Sequence, residues 1–242
     1  MLRKLFPHPG LTLLLIVTWL MLVNEFKWGS LVFAAMGREG LKVVSVSNPA
    51  SMSLRSAIQT LGDVEDVWVS AGVAFIGNDS GFHTVNVANP GLPARMATLP
   101  GERVTHVVVA NGRATLVNYG DETVRVANVA NPTSLSVLGT YTSVEAWNVA
   151  LMGSTPVLAA ATRDAAHLPK LDVLNISTPS NPQSAGSLVL ASTNGIADAI
   201  AVAGTWAFVG RPTMALDVVS LANPASPQKV GSVQISHFAL RI

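Results

Sequence analysis

Four residues far apart in the chain are of types that can do chemistry together: Asp66, His106, Asp198 and His237. Each sits in a copy of one strand-like phrase, "VEDVWVSA" for Asp66, "VTHVVVAN" for His106, "ADAIAVAG" for Asp198 and "ISHFALRI" for His237. A further copy, "VEAWNVAL", brings Ala146 to the same place, or Trp147 if the register slips by one residue. Carboxylate oxygens and imidazole nitrogens together suit a divalent cation such as zinc or manganese. If equivalent strands line a common channel, these four are candidate metal ligands at its mouth. The competing reading is structural: a polar residue at this place bonds the backbone of a neighbouring strand and holds no ion. No other cofactor is implied, and no catalytic residue is assigned.

Other constellations do not assemble. The chain has no Gly-rich phosphate loop, no His-Glu-x-x-His, no Gly-x-Ser-x-Gly elbow and no cysteine. Asn78-Asp79-Ser80-Gly81 and Asn118-Tyr119-Gly120-Asp121 hold oxygens that suit calcium, but Asn, Asp and Gly are also what tight hairpins require. His83 and His167 are expected to face solvent, and Trp68, Trp147 and Trp206 to pack between repeats.

The elements that must position these residues recur. Asn-Pro, or Thr-Pro in one copy, falls at Asn48, Asn89, Asn131, Thr178 and Asn223, every 41 to 47 residues. One unit reads as four short strands: "VEDVWVSA", "GVAFIGN", "FHTVNVAN" and "ARMATLP". Proline donates no backbone hydrogen bond and biases the residue before it away from helix, so Asn-Pro ends the third strand. The asparagine side chain can then bond the local backbone. A period in the forties with this content predicts a β-propeller of four-stranded blades. The fourth copy, "LNISTPSNPQSAG", leaves open whether Thr178-Pro179 or Asn181-Pro182 is the equivalent pair.

These residues resemble the LVIVD-repeat family, whose "V-x-V-x-N-P" strand end recurs about every 40 residues; the resemblance covers 31–242 and implies an extracytoplasmic β-propeller. Aligning the copies gives complete blades at about 64–101, 104–142, 144–191 and 196–234. A fifth is expected from three amino-terminal strands over 31–61 plus one carboxy-terminal strand, 235–242. That 3+1 arrangement would close the ring and remove its exposed edges. The expected fold is therefore an all-β, five-bladed propeller preceded by one hydrophobic helix.

That helix is expected over 1–28. Arg3 and Lys4 precede an apolar run from Leu11 to Val23, the pattern of a signal-anchor or of a cleaved signal. Either sends the remainder out of the cytoplasm by the positive-inside bias. Leu5 to Ala35, with Pro7, His8, Pro9, Trp19 and Asn24, also resembles the first transmembrane segment of the E-type component of the multisubunit sodium/proton antiporters.

Composition limits what such a chain can do. Over 242 residues the formal net charge is +1 and charged residues are 12%, which provides no basic field for nucleic acid. The expectation is a membrane-anchored or secreted, non-enzymatic propeller that binds an envelope or surface protein. A metal-dependent enzyme using Asp66, His106, Asp198 and His237, and an antiporter-type membrane component acting through its leading helix, are the alternatives.

Overall fold

The computed structural model describes residues 25–59, 62–118, 122–142, 145–153, 157–193, 195–211 and 215–234. Among the described residues twenty strands form five sheets, each an antiparallel meander of four. The first holds β1 (Glu25–Trp28), β2 (Leu31–Ala35), β3 (Leu41–Ser45) and β4 (Ser53–Ile58). The second holds β5 (Val64–Ser70), β6 (Val73–Asn78), β7 (Gly81–Asn86) and β8 (Ala94–Pro100). The third runs through β9 (Val104–Ala110), β10 (Arg113–Asn118), β11 (Thr123–Asn128) and β12 (Ser136–Thr142). The fourth comprises β13 (Glu145–Leu151), β14 (Val157–Arg163), β15 (Pro169–Asn175) and β16 (Gln183–Val189). The fifth comprises β17 (Ala199–Ala203), β18 (Trp206–Arg211), β19 (Ala215–Ser220) and β20 (Gln228–Gln234).

The first sheet corrects the 3+1 expectation. Its fourth strand is β1, which pairs with β2 from Glu25↔Ala34 to Trp28↔Leu31. Physically, "EFKW" alternates charged and aromatic residues, the two-residue period of a strand, and Gly29 at φ +62 turns the chain straight into β2. The expected helix over 1–28 therefore does not include Glu25–Trp28, and the last third of the antiporter-like stretch, 25–35, is a hairpin. Residues 1–24 and 235–242, with His8 and His237, lie outside the described residues. Among the described residues no helix is long and apolar enough to cross a membrane.

Two compact units divide the chain. One contains the first two sheets, the start of β9 and residues 132–135; the other contains the rest of the third sheet with the fourth and fifth. Each has its own core. In the first unit Phe33, Leu41 and Val43 pack against Val64, Val67 and Ile76. In the second, Ala159, Leu171 and Val173 pack against Ile200, Val209 and Val219. Side chains alternate between the two faces of a strand, so the second strands, covered on both faces, read "AFIG" and "LAAA" rather than apolar-polar. Removing each Phe, Leu or Ile from water contributes about 1.5–3 kcal/mol.

The Asn-Pro phrase is a capped turn. Asn48, Asn89 and Asn223 accept at Oδ1 from the amide two residues on, each at 3.1 Å. Their carbonyls accept from Ser51, Leu92 and Ser226 at 2.9–3.0 Å. In the fourth copy Asn181 N–H donates to the Thr178 carbonyl at 2.9 Å, so Thr178-Pro179 is the equivalent pair. An asparagine at the end of the third strand adds a second cap: Asn86, Asn128 and Asn175 accept from Ala88, Ala130 and Ser177.

The turns also join sheets. Ser56 Oγ donates to the Pro90 carbonyl at 2.6 Å, and Thr84 Oγ1 to the Pro132 carbonyl at 2.6 Å. The second bond explains why residues 132–135 group with the first unit. Within the second unit, a Cβ placed on Gly139 or Gly186 would collide with the carbonyl of Pro179 or Pro224. In every sheet the pairing of third and fourth strands shifts at this level, a β-bulge that bends the outer strand.

Candidate functional site

Of the four residues singled out for metal binding, Asp66 and His106 are brought together. Asp66 sits just past a register shift in β5, where Glu65 is the extra residue, and is 3% exposed. Its Oδ1 accepts from its neighbour Val67 N–H at 2.9 Å, and its Oδ2 accepts from Val107 N–H on β9 at 2.8 Å. His106 Nδ1 lies 2.8 Å from the same Oδ2. The carboxylate is thus a clamp: it satisfies a buried amide on its own strand and another on the following sheet. Bonds from backbone amides to an ionised acceptor are among the stronger ones proteins make.

Asp198, in the second unit, is built differently. It precedes β17 and its carbonyl accepts from Asn148 Nδ2 at 3.3 Å. Asn148 Oδ1 and Asp198 Oδ1 are both buried with no hydrogen-bond partner. Burial pushes the Asp198 carboxyl up to about 6, against the opposing pull of its own and the Ala199 N–H. His237 is outside the described residues. Among the described residues no group of three or more His, Asp or Glu is placed to hold a metal ion.

Asn148 is a site residue that sequence reasoning missed. Neither Ala146 nor Trp147 holds the place equivalent to Asp66, because β13 also carries a register shift between Ala146 and Asn148. Asn148 pairs with Ala161 as Asp66 pairs with Gly77. Aligning the second strands, whose register is unbroken, would have found it.

A second polar column was also missed. One residue before each outer bulge stand Lys42, His83, Arg125, Asp172 and Asp217. Asp217 is fully buried and accepts from Arg211 Nε at 2.6 Å, with Lys229 Nζ 3.8 Å away. Asp172 accepts from Thr162 Oγ1 at 2.9 Å and lies 3.0 Å from Lys170 Nζ. His83, expected in solvent, is 4% exposed; its Nδ1 bonds Thr98 Oγ1 at 2.9 Å while Nε2 is buried without a partner. Burial and then Arg95 lower its pKa, with Asp79 opposing. The signal was available, since all five repeats place a polar residue here, four of them between apolar ones. His167 is exposed as expected.

The remaining candidates resolve as structure. Asn78 Oδ1 accepts from Ser80 N–H and Ser80 Oγ, and Asp79 Oδ1 accepts from Asp63 N–H, so these oxygens cap turns. Tyr119, Gly120 and Asp121 lie outside the described residues. Trp206 is 44% exposed, a correction to its expected burial between repeats, because it begins β18 at the Gly204 turn. In the first unit a cleft of about 450 Å³ has Met36 and Val64 in its lining beside the ion pairs Arg38–Asp63 and Arg103–Glu65. Exposed pairs of this kind contribute roughly 0–1 kcal/mol each.

The LVIVD repeat family model matches residues 29–60, 61–98 and 194–235. These are the first, second and fifth sheets; the third and fourth are unmatched. No curated protein matches the chain. Among solved structures, a candidate 6-phosphogluconolactonase of Bacteroides fragilis superposes with a TM-score of 0.73 at 12% identity, over 90% of this chain and 71% of that one. Sqt1 of Saccharomyces cerevisiae gives 0.70 at 11%, over 89% and 62%. The computationally designed Ika8 protein gives 0.67 at 12%, over 89% and 63%. The chain therefore spans less than two thirds of the length of two of these three neighbours. At such identities the likeness concerns fold alone, and it is to β-propeller-like folds. Three segments of this chain match the LVIVD repeat, and its fold is of β-propeller type.

Proposed function

We propose that the chain is a non-enzymatic interaction module of the cell envelope, tethered through residues before Glu25 or secreted, whose repeats present surfaces to another envelope protein. The observation that carries this reading is the state of Asp66. Its two oxygens are engaged by Val67 N–H, Val107 N–H and His106, so the side chains best suited to chemistry serve to join strands. The outer strands, meanwhile, leave Leu54, Val137 and Val189 in solvent, and exposed apolar side chains are what a partner covers.

Cross-linking of the full-length chain in its native envelope tests it. A discrete cross-linked species is expected, and it should disappear in Leu54→Glu/Val137→Glu with unfolding midpoint unchanged. The metal-dependent reading rests on the contact between His106 and Asp66. Zinc or manganese bound near stoichiometry and lost in His106→Ala, or hydrolysis of 6-phosphogluconolactone by the purified chain, would replace the interaction reading with an enzymatic one. Protease added to intact cells checks location, with cleavage of the repeats expected without lysis.

A further inference from the structure

The cleft of about 450 Å³ in the first unit has the size of a small-molecule site, for which about 300–1,000 Å³ is usual. Its lining residues all belong to that unit. Met36 and Val64 supply apolar surface, and charges of both signs accompany them: Arg38 and Arg103 against Asp63 and Glu65. Glu39, the remaining charged residue of the lining, is paired with Lys42.

The frame of the cleft is fixed, whereas one of its charge pairs is not. Gly37 and Val64 exchange both backbone bonds, at 3.2 and 3.0 Å, which locks the turn carrying Arg38 to the start of β5. The Asp63 backbone is pinned as well: its N–H donates to Asp79 Oδ1 at 3.0 Å, and Asp79 N–H donates to its carbonyl at 3.2 Å. Arg103 is held by Glu65, whose Oε1 accepts from Nε at 3.0 Å and from Nη2 at 2.7 Å. Arg38 and Asp63 differ. They meet only through Arg38 Nε at 3.4 Å, and among the described residues neither side chain makes a hydrogen bond. The Arg38 side chain is 92% exposed, so this pair contributes little. A guanidinium and a carboxylate thus stand uncommitted in a preorganised cleft. A ligand offering both opposite charges exchanges one weak pair for two charge-assisted ones.

We propose that this cleft binds a small zwitterion with an apolar side chain, the chemistry shared by an apolar α-amino acid and a short apolar peptide. The ligand carboxylate lies on Arg38, its ammonium on Asp63 and its side chain against Met36 and Val64. A dianion such as a phosphate ester is disfavoured by the three carboxylates of the lining, Glu39, Asp63 and Glu65. The proposal goes beyond the interaction reading and does not rest on it.

Isothermal titration calorimetry of the full-length chain with L-leucine and with leucyl-leucine tests it, the tighter of the two naming the source. Saturable binding is expected, weakened at least about tenfold when the ligand carboxylate is amidated and likewise when its amine is acetylated. Arg38→Gln should erase the difference between free acid and amide while keeping that between free amine and acetyl form; Asp63→Asn should do the reverse. Because Arg38 is almost wholly exposed, its variant should keep the wild-type unfolding midpoint and remains a test even if Asp63→Asn does not fold. No saturable binding of either ligand, or binding that Arg38→Gln leaves unchanged, overturns the proposal.

Discussion

Asp66 and Asp198 are carboxylates at the first strands of two repeats, one in each unit and one register place apart, since Asp66 pairs with Gly77 while Ala199 pairs with the corresponding Gly210, and their surroundings differ. Asp66 is satisfied by two amides and an imidazole. Asp198 keeps one buried oxygen unpartnered, and its pKa rises to about 6. The difference lies in who arrives from the neighbouring strand. β9 offers Val107 N–H and His106 to Asp66, whereas β13 offers Asn148, whose Nδ2 donates to the Asp198 carbonyl and leaves Asp198 Oδ1 and Asn148 Oδ1 without a partner. A carboxylate in the right place is stabilising only when donors arrive with it.

Five substitutions break or sharpen that contrast. Asp66→Ala should have the largest effect, lowering stability by about 3 kcal/mol, because it strands two buried amides; Asp198→Ala should change it by less than about 1 kcal/mol. Equal losses in urea unfolding would dissolve the distinction. Asp198→Asn should stabilise by about 1 kcal/mol at pH 7.5, a value discounted for partial exposure. The sign follows from linkage. A carboxyl raised from 3.8 to about 6 stabilises the folded chain while protonated, below pH 4, and this is lost as pH rises through 6. The advantage of the asparagine variant should therefore vanish in melts at pH 4, and a pH-independent gain would rule the mechanism out.

His106→Ala removes the imidazole partner of Asp66 and leaves the amide bonds from Val67 and Val107 in place. A loss of about 1 kcal/mol in thermal unfolding is expected, smaller than for Asp66→Ala. Ala71→Asn should have the smallest effect, at the far end of the strand that carries Asp66. Ala71 sits at φ +49 before Gly72 at +76, and the third sheet fills that turn with Asn111 at +53 before Gly112 at +70. Asparagine tolerates this region better than alanine, so a gain of about 0.5 kcal/mol is expected in the same melts. A loss would mean that the backbone of Ala71 is not strained.

Much of the fold was legible because its signals are local. Proline after the third strand, glycine between hairpin strands and alternating valines act within a few residues, so blade limits such as 64–101 match the second sheet, Val64 to Pro100. The first sheet was misread because an apolar run beside "EFKW" reads as one membrane-directed segment, while pairing with Leu31–Ala35 makes those four residues a strand. The candidate site was legible only in part. Asp66 and His106 were named together, but Asn148 was hidden by an extra residue in β13. His83 was placed in solvent because it was read alone at a strand start, and not as one of the polar residues that recur before each outer bulge.

The sequence by itself determined the repeat, its strand count and its turn chemistry, because backbone preferences and capping depend on neighbours in the chain. Only the tertiary structure decided what the polar residues do. Whether a carboxylate is clamped like Asp66, buried against an arginine like Asp217 or left with one unpartnered oxygen like Asp198 depends on amides and cations that other strands bring, some 40 residues away in the case of Asp66 and Val107.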